Sequence, residues 1–468
     1  MTDRPTGAGD DPVAGTSPIP VSSRASQVSR TSRSGATPWL PLTGIALLGA
    51  VLGYLAKAPC RFGGAWLDGT QFQKACYSDV FPLYYRDQLD AGTVPYLDKP
   101  VEYPVLTGGL MHVLARAVSW LPDPVARGLG YFDATAVVMA GCLVAVVLSV
   151  GHLAGRGGVA PAAGRPFDRR AALAAGAFTA LVPAALLTAY INWDLFAVAL
   201  AVGGLAAYAH GRQWLSGALI GLAVAAKFYP FLFFGPLFVL AVRDRLRDGR
   251  PLKESLGDFA RPLGGAAVAW AAVNLPVIVA APEGWATFFR FSRERGADWG
   301  SVYYVLGGFG LFDTADLDAV NLAGTLGLLL ACVGIALLGL FARGRPPLEQ
   351  LVFLVVAAFL ITNKVWSPQF VLWLLPLAAL AWPRHVGLRP ALVVFGLWQV
   401  AEIGYVLGIW QYLLSVSPPE GTSGLGIEFG AYALLTLGRL LSLLLVCALV
   451  VADCVRAPAK PGIGAETS

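Results

Sequence analysis

Ionisable residues interrupt an otherwise apolar sequence at a few places, and several of them could take part in chemistry. The polar stretch 59–104 carries Asp79 and Glu102, and later turns carry Lys227 and Lys364 beside aromatic residues. Carboxylates can exchange protons, and lysine side chains can hold an anionic group such as a phosphate. Because charged groups are costly in apolar surroundings and tend to be functional there, these residues are candidates for a site.

Further polar and aromatic residues in the same turns are candidates for binding a substrate. This group contains Tyr103, Asp194, Lys227, Tyr229, Arg290, Arg293, Asn363, Lys364 and Gln369. Structural roles stay open for several of them, since Lys227 could anchor a helix at an interface and Asp194 could cap one. Arg290, Arg293 and Arg295 could hold a phosphate through forked N–H donors, or they could contact anionic lipid headgroups.

The composition indicates an integral membrane protein. Of the 468 residues, 56% are hydrophobic and 13% are charged, whereas about 25% of the residues in a soluble domain are charged. The apolar residues come in repeated runs of roughly 17–25, the length that crosses a hydrocarbon core of about 30 Å. Basic residues are mostly arginine and are not clustered with aromatic residues, so nucleic-acid binding is not expected.

Hydropathy and the placement of basic residues predict about twelve transmembrane helices. They run over about 39–57, 131–153, 171–190, 194–210, 214–226, 230–242, 263–281, 319–342, 348–362, 370–383, 390–411 and 429–452. The apolar run 105–121 is either another span or an amphipathic helix lying on the membrane. Cytoplasmic loops are rich in Lys and Arg, and the second choice alone places every Arg-rich loop, including 155–170 and 243–261, inside. The stretch 59–130 is then a large first extracytoplasmic loop with its interfacial helix.

Three regions are expected along the chain. Residues 1–37 are rich in Gly, Ser, Thr, Pro and Arg, and are expected to be a disordered cytoplasmic tail. A transmembrane domain is expected over 38–455, and a second cytoplasmic tail over 456–468. The protein is expected to be a multi-pass protein of the plasma membrane, with its polar turns and its site facing outside.

Two pairs of residues are of interest for stability. Cys60 and Cys76 both lie in the predicted outer loop, where oxidation is possible, and the sequence leaves open whether they are bridged. Glu402 and Arg439 lie at similar depth in their predicted helices. A lone arginine at that depth costs about 2.5–3.5 kcal/mol on the insertion scale, so we expect the two side chains to form a buried ion pair.

Three strings in the sequence carry a family resemblance. The first is YSDVFPLYYRDQLDAGTVPYLDKPVEYPVL (77–106), with Asp79, then Gly-x-x-Pro-Tyr-x-Asp over 92–98, then Glu-Tyr-Pro over 102–104. The others are GALIGLAVAAKFYPFLFFGPL (217–237) and NKVWSPQFVLWLLPL (363–377). Together they resemble actinobacterial glycosyltransferase family 87, whose first pattern continues with a second proline where this chain has Val105.

This resemblance implies the C-type fold of membrane-embedded glycosyltransferases and an activity like that of polyprenol-phosphate-mannose-dependent α-(1→2)-mannosyltransferases. A hexose, with mannose expected, would pass from a polyprenyl phosphate to an extracytoplasmic envelope glycolipid or glycan. Asp79 resembles the family's catalytic aspartate and is expected to be the base in direct, inverting transfer. Glu102 is expected to orient the acceptor or to brace the loop with Tyr103 and Pro104. Lys227 is expected to stabilise charge on the phosphate.

No cofactor and no metal is expected. Asp316 and Asp318 form the D-x-D pattern that holds the metal of a nucleotide sugar in soluble glycosyltransferases, but nucleotide sugars are not expected outside the membrane. No Cys or His spacing is typical of a metal site.

A polytopic transporter or a flippase of lipid-linked sugars is the alternative class of protein. Transporters place polar residues and broken helices near the midplane, often in inverted repeats, whereas here the polar residues gather at one predicted face. Among enzymes, a donor with another lipid-linked sugar, such as an arabinofuranosyl group, stays open.

Overall fold

The computed structural model describes residues 36–458, apart from 65, 67 and 161–163. Helices make up most of these residues, which contain an isolated β-bridge between Pro95 and Lys99 and no strand. The prediction of an all-α fold is therefore confirmed. The predicted tails 1–37 and 456–468 lie almost wholly outside the described residues, and their assignment stays a prediction.

Eighteen α-helices follow one another along the described residues, with three short 3₁₀-helices between them. The α-helices are α1 (Trp39–Phe62), α2 (Thr70–Gln73), α3 (Val80–Arg86), α4 (Val105–Val118), α5 (Pro124–Arg156), α6 (Arg169–Leu181), α7 (Pro183–Thr188), α8 (Asp194–Ala209), α9 (Gln213–Ala226), α10 (Phe234–Leu246), α11 (Leu252–Ala280), α12 (Pro282–Glu294), α13 (Val302–Gly308), α14 (Leu317–Phe341), α15 (Leu348–Thr362), α16 (Val371–Leu380), α17 (Leu388–Val416) and α18 (Phe429–Arg456). The 3₁₀-helices are Leu89–Ala91, Tyr229–Phe233 and Pro368–Phe370.

Six of the described helices, α1, α5, α11, α14, α17 and α18, are long and apolar enough to cross a membrane. Shorter apolar helices add to these, so the chain is a multi-pass membrane protein, whereas the predicted number of twelve spans is not confirmed. The predicted span 171–190 is divided at Pro183, because proline pushes the residue before it out of helical geometry. The predicted span 370–383 contains only the ten residues of α16.

The helix α4 lies where the sequence predicted an amphipathic helix over 105–121. Its buried residues recur at helical spacing and include Val105, Met111 and Val118, while the opposite face is exposed. The Thr107 hydroxyl donates to the carbonyl of Ala226 at 2.7 Å. This contact joins the start of α4 to the end of α9, where the polar residues of the site begin.

The centre of the described bundle is formed by α15 and α16. Every residue of α16 and most residues of α15 are buried, as expected for helices that are apolar on all sides. In contrast, α11 and α14 expose most of their apolar surface, which is suited to contact with lipid. The central helices therefore fix the loops at their ends, and the site is built on those loops.

Glu402 on α17 and Arg439 on α18 form the expected buried ion pair. The Arg439 Nε lies 3.0 Å from Glu402 Oε2, and both side chains are fully buried. Arg439 also donates to the carbonyls of Trp366 and Ser367, and it stacks on the ring of Tyr405. The pair therefore joins the last two long helices to the loop that precedes α16.

Cys60 and Cys76 are joined by a disulfide, which settles a question that the sequence left open. Their Cα atoms are 5.8 Å apart, and both side chains are fully buried. The bridge fastens the end of α1 to the segment that carries Asp79.

Candidate active site

A cavity of about 650 Å³ lies among the loops at one end of the central helices. Its wall is formed by the segment 77–79, the loop before α4, the end of α9 with the following 3₁₀-helix, α12, the loop 363–370 and the end of α17. A volume of this size is within the range of ligand pockets in proteins, about 300–1,000 Å³. Most of the residues predicted for the site are brought together here.

Asp79 lines this cavity directly before α3. Its carboxylate accepts a hydrogen bond from the Tyr77 hydroxyl at 2.7 Å. Burial raises the pKa of Asp79 to about 6, against the lowering effects of the Tyr77 hydrogen bond and Lys227. The carboxylates of Glu102 and Asp194 raise the pKa further. A carboxylate of this kind is suited to accept a proton near neutral pH.

The backbone around Asp79 is fixed by the loop between α7 and α8. The Ser78 hydroxyl donates to the carbonyls of Tyr190 and Ile191, and the N–H of Asp79 donates to the carbonyl of Ile191 at 2.7 Å. Ser78 is completely buried. The catalytic candidate is therefore held by packed backbone and is not part of a loose surface loop.

Lys227 lines the same cavity at the end of α9. Its ammonium lies 2.9 Å from Asp194 Oδ1 and 5–6 Å from the ring centres of Tyr103, Phe370 and Trp373. Aromatic faces attract cations, so the carboxylate and the three rings hold the ammonium in one position. An ammonium has three N–H donors. One donor bonds to Asp194, and the others are available for a ligand in the cavity.

Asp194 acts behind Lys227 and is not among the residues that line the cavity. It is 2% exposed and also accepts a hydrogen bond from the Trp373 indole at 3.0 Å. The Trp373 ring is stacked on Tyr229, another predicted site residue, with ring centres 4.2 Å apart. Asp194 was predicted to contact substrate, whereas the structure gives it a role in holding Lys227.

Glu102 lines the cavity and is paired with Arg86, whose guanidinium lies 3.1 Å from Glu102 Oε1. Arg86 in turn contacts the buried Asp87 at 2.8 Å. These contacts agree with a brace for the loop, one of the two roles considered for Glu102. Its position on the cavity wall leaves the other role, orientation of the acceptor, available as well.

The loop before α16 supplies two of its three predicted residues to the cavity. Asn363 and Gln369 line it, and Gln369 is 94% buried from solvent. Lys364 between them points elsewhere: its side chain is buried and its ammonium donates to the carbonyl of Arg293 at 2.7 Å. Burial and the nearby Arg295 lower the pKa of Lys364. Lys364 is therefore placed as a support between two loops.

Arg290 and Arg293 are exposed and are not among the cavity-lining residues. Residues 288, 289, 291, 292 and 295 line the cavity instead, and 288, 291, 292 and 295 have the spacing of one helical face. Arg295 is on this face and lies 3.1 Å from Asp298, while Arg290 and Arg293 are on the other. The helical spacing of the sequence could therefore have shown that Arg295 faces another direction than Arg290 and Arg293.

Tyr77 was not among the predicted site residues, although it lines the cavity and contacts Asp79. Its ring is stacked on Trp410 of α17, with centres 4.6 Å apart. More than three hundred residues separate the two in sequence, so only its place two residues before Asp79 could have pointed to Tyr77.

Metal-binding groups are not gathered in the part of the chain that the structure describes, where no three His, Cys, Asp or Glu residues lie close enough to hold an ion. Asp316 of the D-x-D pattern caps α14 by accepting the N–H of Ala319.

Comparison with a protein family identifies the class of protein to which this helical chain and its site belong. Residues 103–368 match glycosyltransferase family 87, which is more than half of the chain. The chain therefore belongs to this family and is a membrane glycosyltransferase, not a transporter. The match includes Tyr103, Lys227 and Asn363, whereas Asp79 and Glu102 lie before its first residue and Gln369 lies just after its last.

The chain is also similar to solved structures of an archaeal enzyme. The first is the oligosaccharyltransferase of Archaeoglobus fulgidus in the apo form, with 13% identity, a TM-score of 0.38, and coverage of 89% of this chain and 57% of that one. The second is the oligosaccharyltransferase AglB of the same organism in complex with an inhibitory peptide and a dolichol-phosphate, with 13% identity, a TM-score of 0.37, and coverage of 89% and 56%. This chain thus spans little more than half of their length. No curated protein matches the sequence.

Proposed function

We propose that this protein transfers a hexose, with mannose as the expected sugar, from a polyprenyl phosphate to an extracytoplasmic envelope glycolipid or glycan. One observation carries the proposal: Asp79 and Lys227 line the same cavity, the first with a raised pKa and the second held by Asp194. A base for an acceptor hydroxyl and a cation for a phosphate are the two groups that this transfer requires.

In the proposed step the oxygen of the acceptor hydroxyl bonds to the anomeric carbon from the side opposite the phosphate. The bond from that carbon to the phosphate oxygen breaks, and its electron pair stays with the phosphate. Asp79 takes the hydroxyl proton, and Lys227 stabilises the added negative charge on the leaving polyprenyl phosphate. Direct attack inverts the configuration at the anomeric carbon.

Two features support a lipid donor and an outward orientation. Phe228 and Phe289 line the cavity, are partly exposed, and contact each other with ring centres 6.0 Å apart. They form an apolar edge beside Lys227 that is suited to a prenyl chain. The Cys60–Cys76 disulfide is typical of an oxidising compartment, and it supports a plasma-membrane protein whose site faces outside.

Replacement of Asp79 by asparagine tests the proposal. Asp79→Asn keeps the size of the side chain but cannot take the proton, so turnover is expected to fall by roughly 10²–10⁴-fold. The purified protein is incubated with a panel of polyprenyl-phosphate sugars and envelope acceptors, and transfer and donor binding are both measured. Donor binding should remain near that of the wild type.

Asp79→Asn is also expected to fold at least as well as the wild type. The raised pKa means that ionisation of Asp79 is harder in the folded protein than in the unfolded chain, so stability is lost as the pH rises towards and through about 6. A neutral side chain removes this loss at neutral pH. Asp98→Asn is the matched control, because Asp98 bonds to the N–H of Val94 outside the cavity. Turnover of Asp79→Asn within a few-fold of the wild type would exclude Asp79 as the base.

A further inference from the structure

We propose that Lys57 is a positioning residue, which holds Asp79 in place through the backbone of the neighbouring residues. The inference rests on the proposed function, because it takes Asp79 as the base. Lys57 lies on α1, and its ammonium donates to the carbonyl oxygens of Tyr77 and Leu187, both at 2.8 Å. Its side chain does not line the cavity.

The burial of Lys57 sets it apart from an ordinary interfacial lysine. It is 1% exposed, and no carboxylate in the described residues lies within ion-pair distance of its ammonium. Removing an ammonium from water costs several kcal/mol, and an apolar side chain of similar size often stabilises a fold more. A contribution to stability therefore does not explain the buried charge of Lys57. Its two hydrogen bonds indicate that Lys57 holds the two carbonyl groups in place.

Both carbonyls belong to segments that fix Asp79. Tyr77 lies two residues before Asp79, and its hydroxyl bonds to the Asp79 carboxylate. Leu187 lies in α7, and the carbonyl of Ile191 just beyond this helix accepts the N–H of Asp79. Lys57 therefore ties to α1 the two pieces of backbone between which Asp79 is held.

The disulfide alone does not give this arrangement. Cys60 follows Lys57 by three residues on α1 and is bonded to Cys76, so two neighbouring positions on one helical face hold two consecutive residues of the segment. The disulfide fixes the distance of Cys76 from α1, and the Trp66 indole donates to the Cys76 carbonyl at 2.9 Å, but neither contact holds the carbonyl of Tyr77. Lys57 fixes the direction of the Tyr77 carbonyl, and with it the direction of the chain that enters Asp79.

A loss of this contact should act on turnover and not on donor binding. A displacement of about 1 Å at a reacting group can cost about 10²-fold in rate, so we expect Lys57→Met to lower kcat by about 10- to 100-fold. The donor KM should stay within twofold, because Lys227 and Asp194 make no contact with Lys57.

The experiment compares Lys57→Met and Lys57→Arg with Arg61→Met as the matched control. Arg61 is one helical turn further along α1 and pairs with Asp133, at 2.6 Å, away from the Asp79 segment. The measured quantities are kcat, the donor KM, the pH midpoint of kcat and the thermal unfolding temperature.

Lys57→Met should lower kcat and move the pH midpoint, because Asp79 is displaced relative to the charged and titratable groups around it. These groups are Tyr77, Glu102, Asp194 and Lys227. The charge of Lys57 also interacts with Asp79, and Lys57→Arg keeps this charge, so a midpoint that moves in Lys57→Arg as well reports displacement of Asp79. Lys57→Arg keeps donors for the two carbonyls and should recover part of kcat. Arg61→Met should keep both the wild-type kcat and the wild-type pH midpoint, even if its unfolding temperature falls as much as that of Lys57→Met.

Lys57→Met with wild-type kcat and pH midpoint would overturn the proposal. An equal loss of kcat in Arg61→Met at an equal loss of stability would also overturn it, since Lys57 would then be only a structural residue. If Lys57→Met does not fold, Lys57→Leu, which also lacks an N–H donor, is measured under the same criteria. Asp79→Asn is included throughout: its full activity would refute the base itself, whereas the Lys57 proposal fails alone if Asp79→Asn is inactive and the Lys57 variants are not.

Discussion

The carboxylate of Asp79 is under opposing influences, and their balance sets its chemistry. The Tyr77 hydrogen bond and the Lys227 charge favour the ionised form, whereas burial, Glu102 and Asp194 favour the protonated form. The resulting pKa of about 6 leaves the group ionised at neutral pH and still basic enough to take a proton. At the scale of the residue, pH dependence is therefore the most direct readout of the site.

The first prediction concerns Tyr77. Activity requires ionised Asp79 and should fall as the pH drops through about 6. Tyr77→Phe keeps the stack on Trp410 but removes a hydrogen bond that lowers the pKa of Asp79, so the loss of activity should begin at a higher pH. The pH profile of kcat measures the shift. Tyr85→Phe is the control, since its hydroxyl bonds to the carbonyl of Pro124, and an identical profile for both variants would contradict the prediction.

The second prediction concerns Lys227. If its ammonium binds the donor phosphate, Lys227→Met should raise the donor KM at least tenfold, which corresponds to about 1.4 kcal/mol. This change also leaves the buried Asp194 without its partner, so the protein should be less stable. The double variant with Asp194→Asn should recover stability but not donor use. Recovery of both would show that Lys227 acts only through the fold.

The sequence predicted the site residues that lie in the three strings with the family resemblance. Among them, Asp79, Glu102, Tyr103, Lys227 and Gln369 all line the cavity. It could not separate residues that differ only in the direction of the side chain. Lys364 follows Asn363 directly, yet its ammonium is drawn away from the cavity by a carbonyl on another loop. Such a direction is decided by tertiary contacts that no local pattern contains.

At the scale of the element, α17 and α18 are joined by the buried ion pair of Glu402 and Arg439. Either charge alone would destabilise the helix that carries it. Glu402 bonds to Arg439 and also accepts a hydrogen bond from the Trp398 indole at 3.1 Å. The carbonyls of Trp366 and Ser367 take further N–H groups of Arg439. The pair therefore transmits the packing of these two helices to the loop that carries Gln369.

The third prediction follows from this pair. Glu402→Gln or Arg439→Met should each destabilise the protein by about 3–5 kcal/mol, because each leaves a buried charge without its partner. The double variant should lose less than the sum of the single losses. A double-mutant cycle based on unfolding in detergent measures the coupling, and additive losses would contradict it.

Element boundaries were predictable where the sequence marks them clearly. The helix predicted over 348–362 has these bounds in the structure, and 194–210 differs by one residue. Hydropathy predicts one continuous span over 171–190, although Pro183 divides it, because hydropathy counts apolar residues and is insensitive to backbone geometry. For the same reason α11 starts eleven residues before its predicted apolar run, and charged residues alternate with apolar ones in its first three turns.

At the scale of the whole molecule, the predicted orientation puts the site on the outer side of the membrane. Basic residues decided the predicted orientation, and the disulfide supports it independently. The loop between α10 and α11 carries Arg247 and Arg250 on the side predicted to be cytoplasmic, and Arg250 pairs with Asp258 at 2.9 Å.

The fourth prediction tests this orientation with introduced cysteines. In a chain whose free cysteines are replaced, Gly92→Cys should react with an impermeant maleimide added to intact cells, and Arg247→Cys should not. Gly92 ends a 3₁₀-helix in the segment between Asp79 and Glu102, and Arg247 follows α10. Both should react after the membrane is permeabilised, and the reverse pattern before that would place the site inside.

The aromatic lining of the cavity also gives the protein an internal optical signal. Trp299, Trp373 and Trp410 line the cavity, and Trp299 is partly exposed there. Indole emission moves to shorter wavelength when water is displaced from the ring, so occupancy by an apolar chain should be visible without a label. Trp299→Phe should remove most of this response while Lys227 and Asp79 stay unchanged. Binding of a lipid and transfer of its sugar could then be followed separately in the same sample.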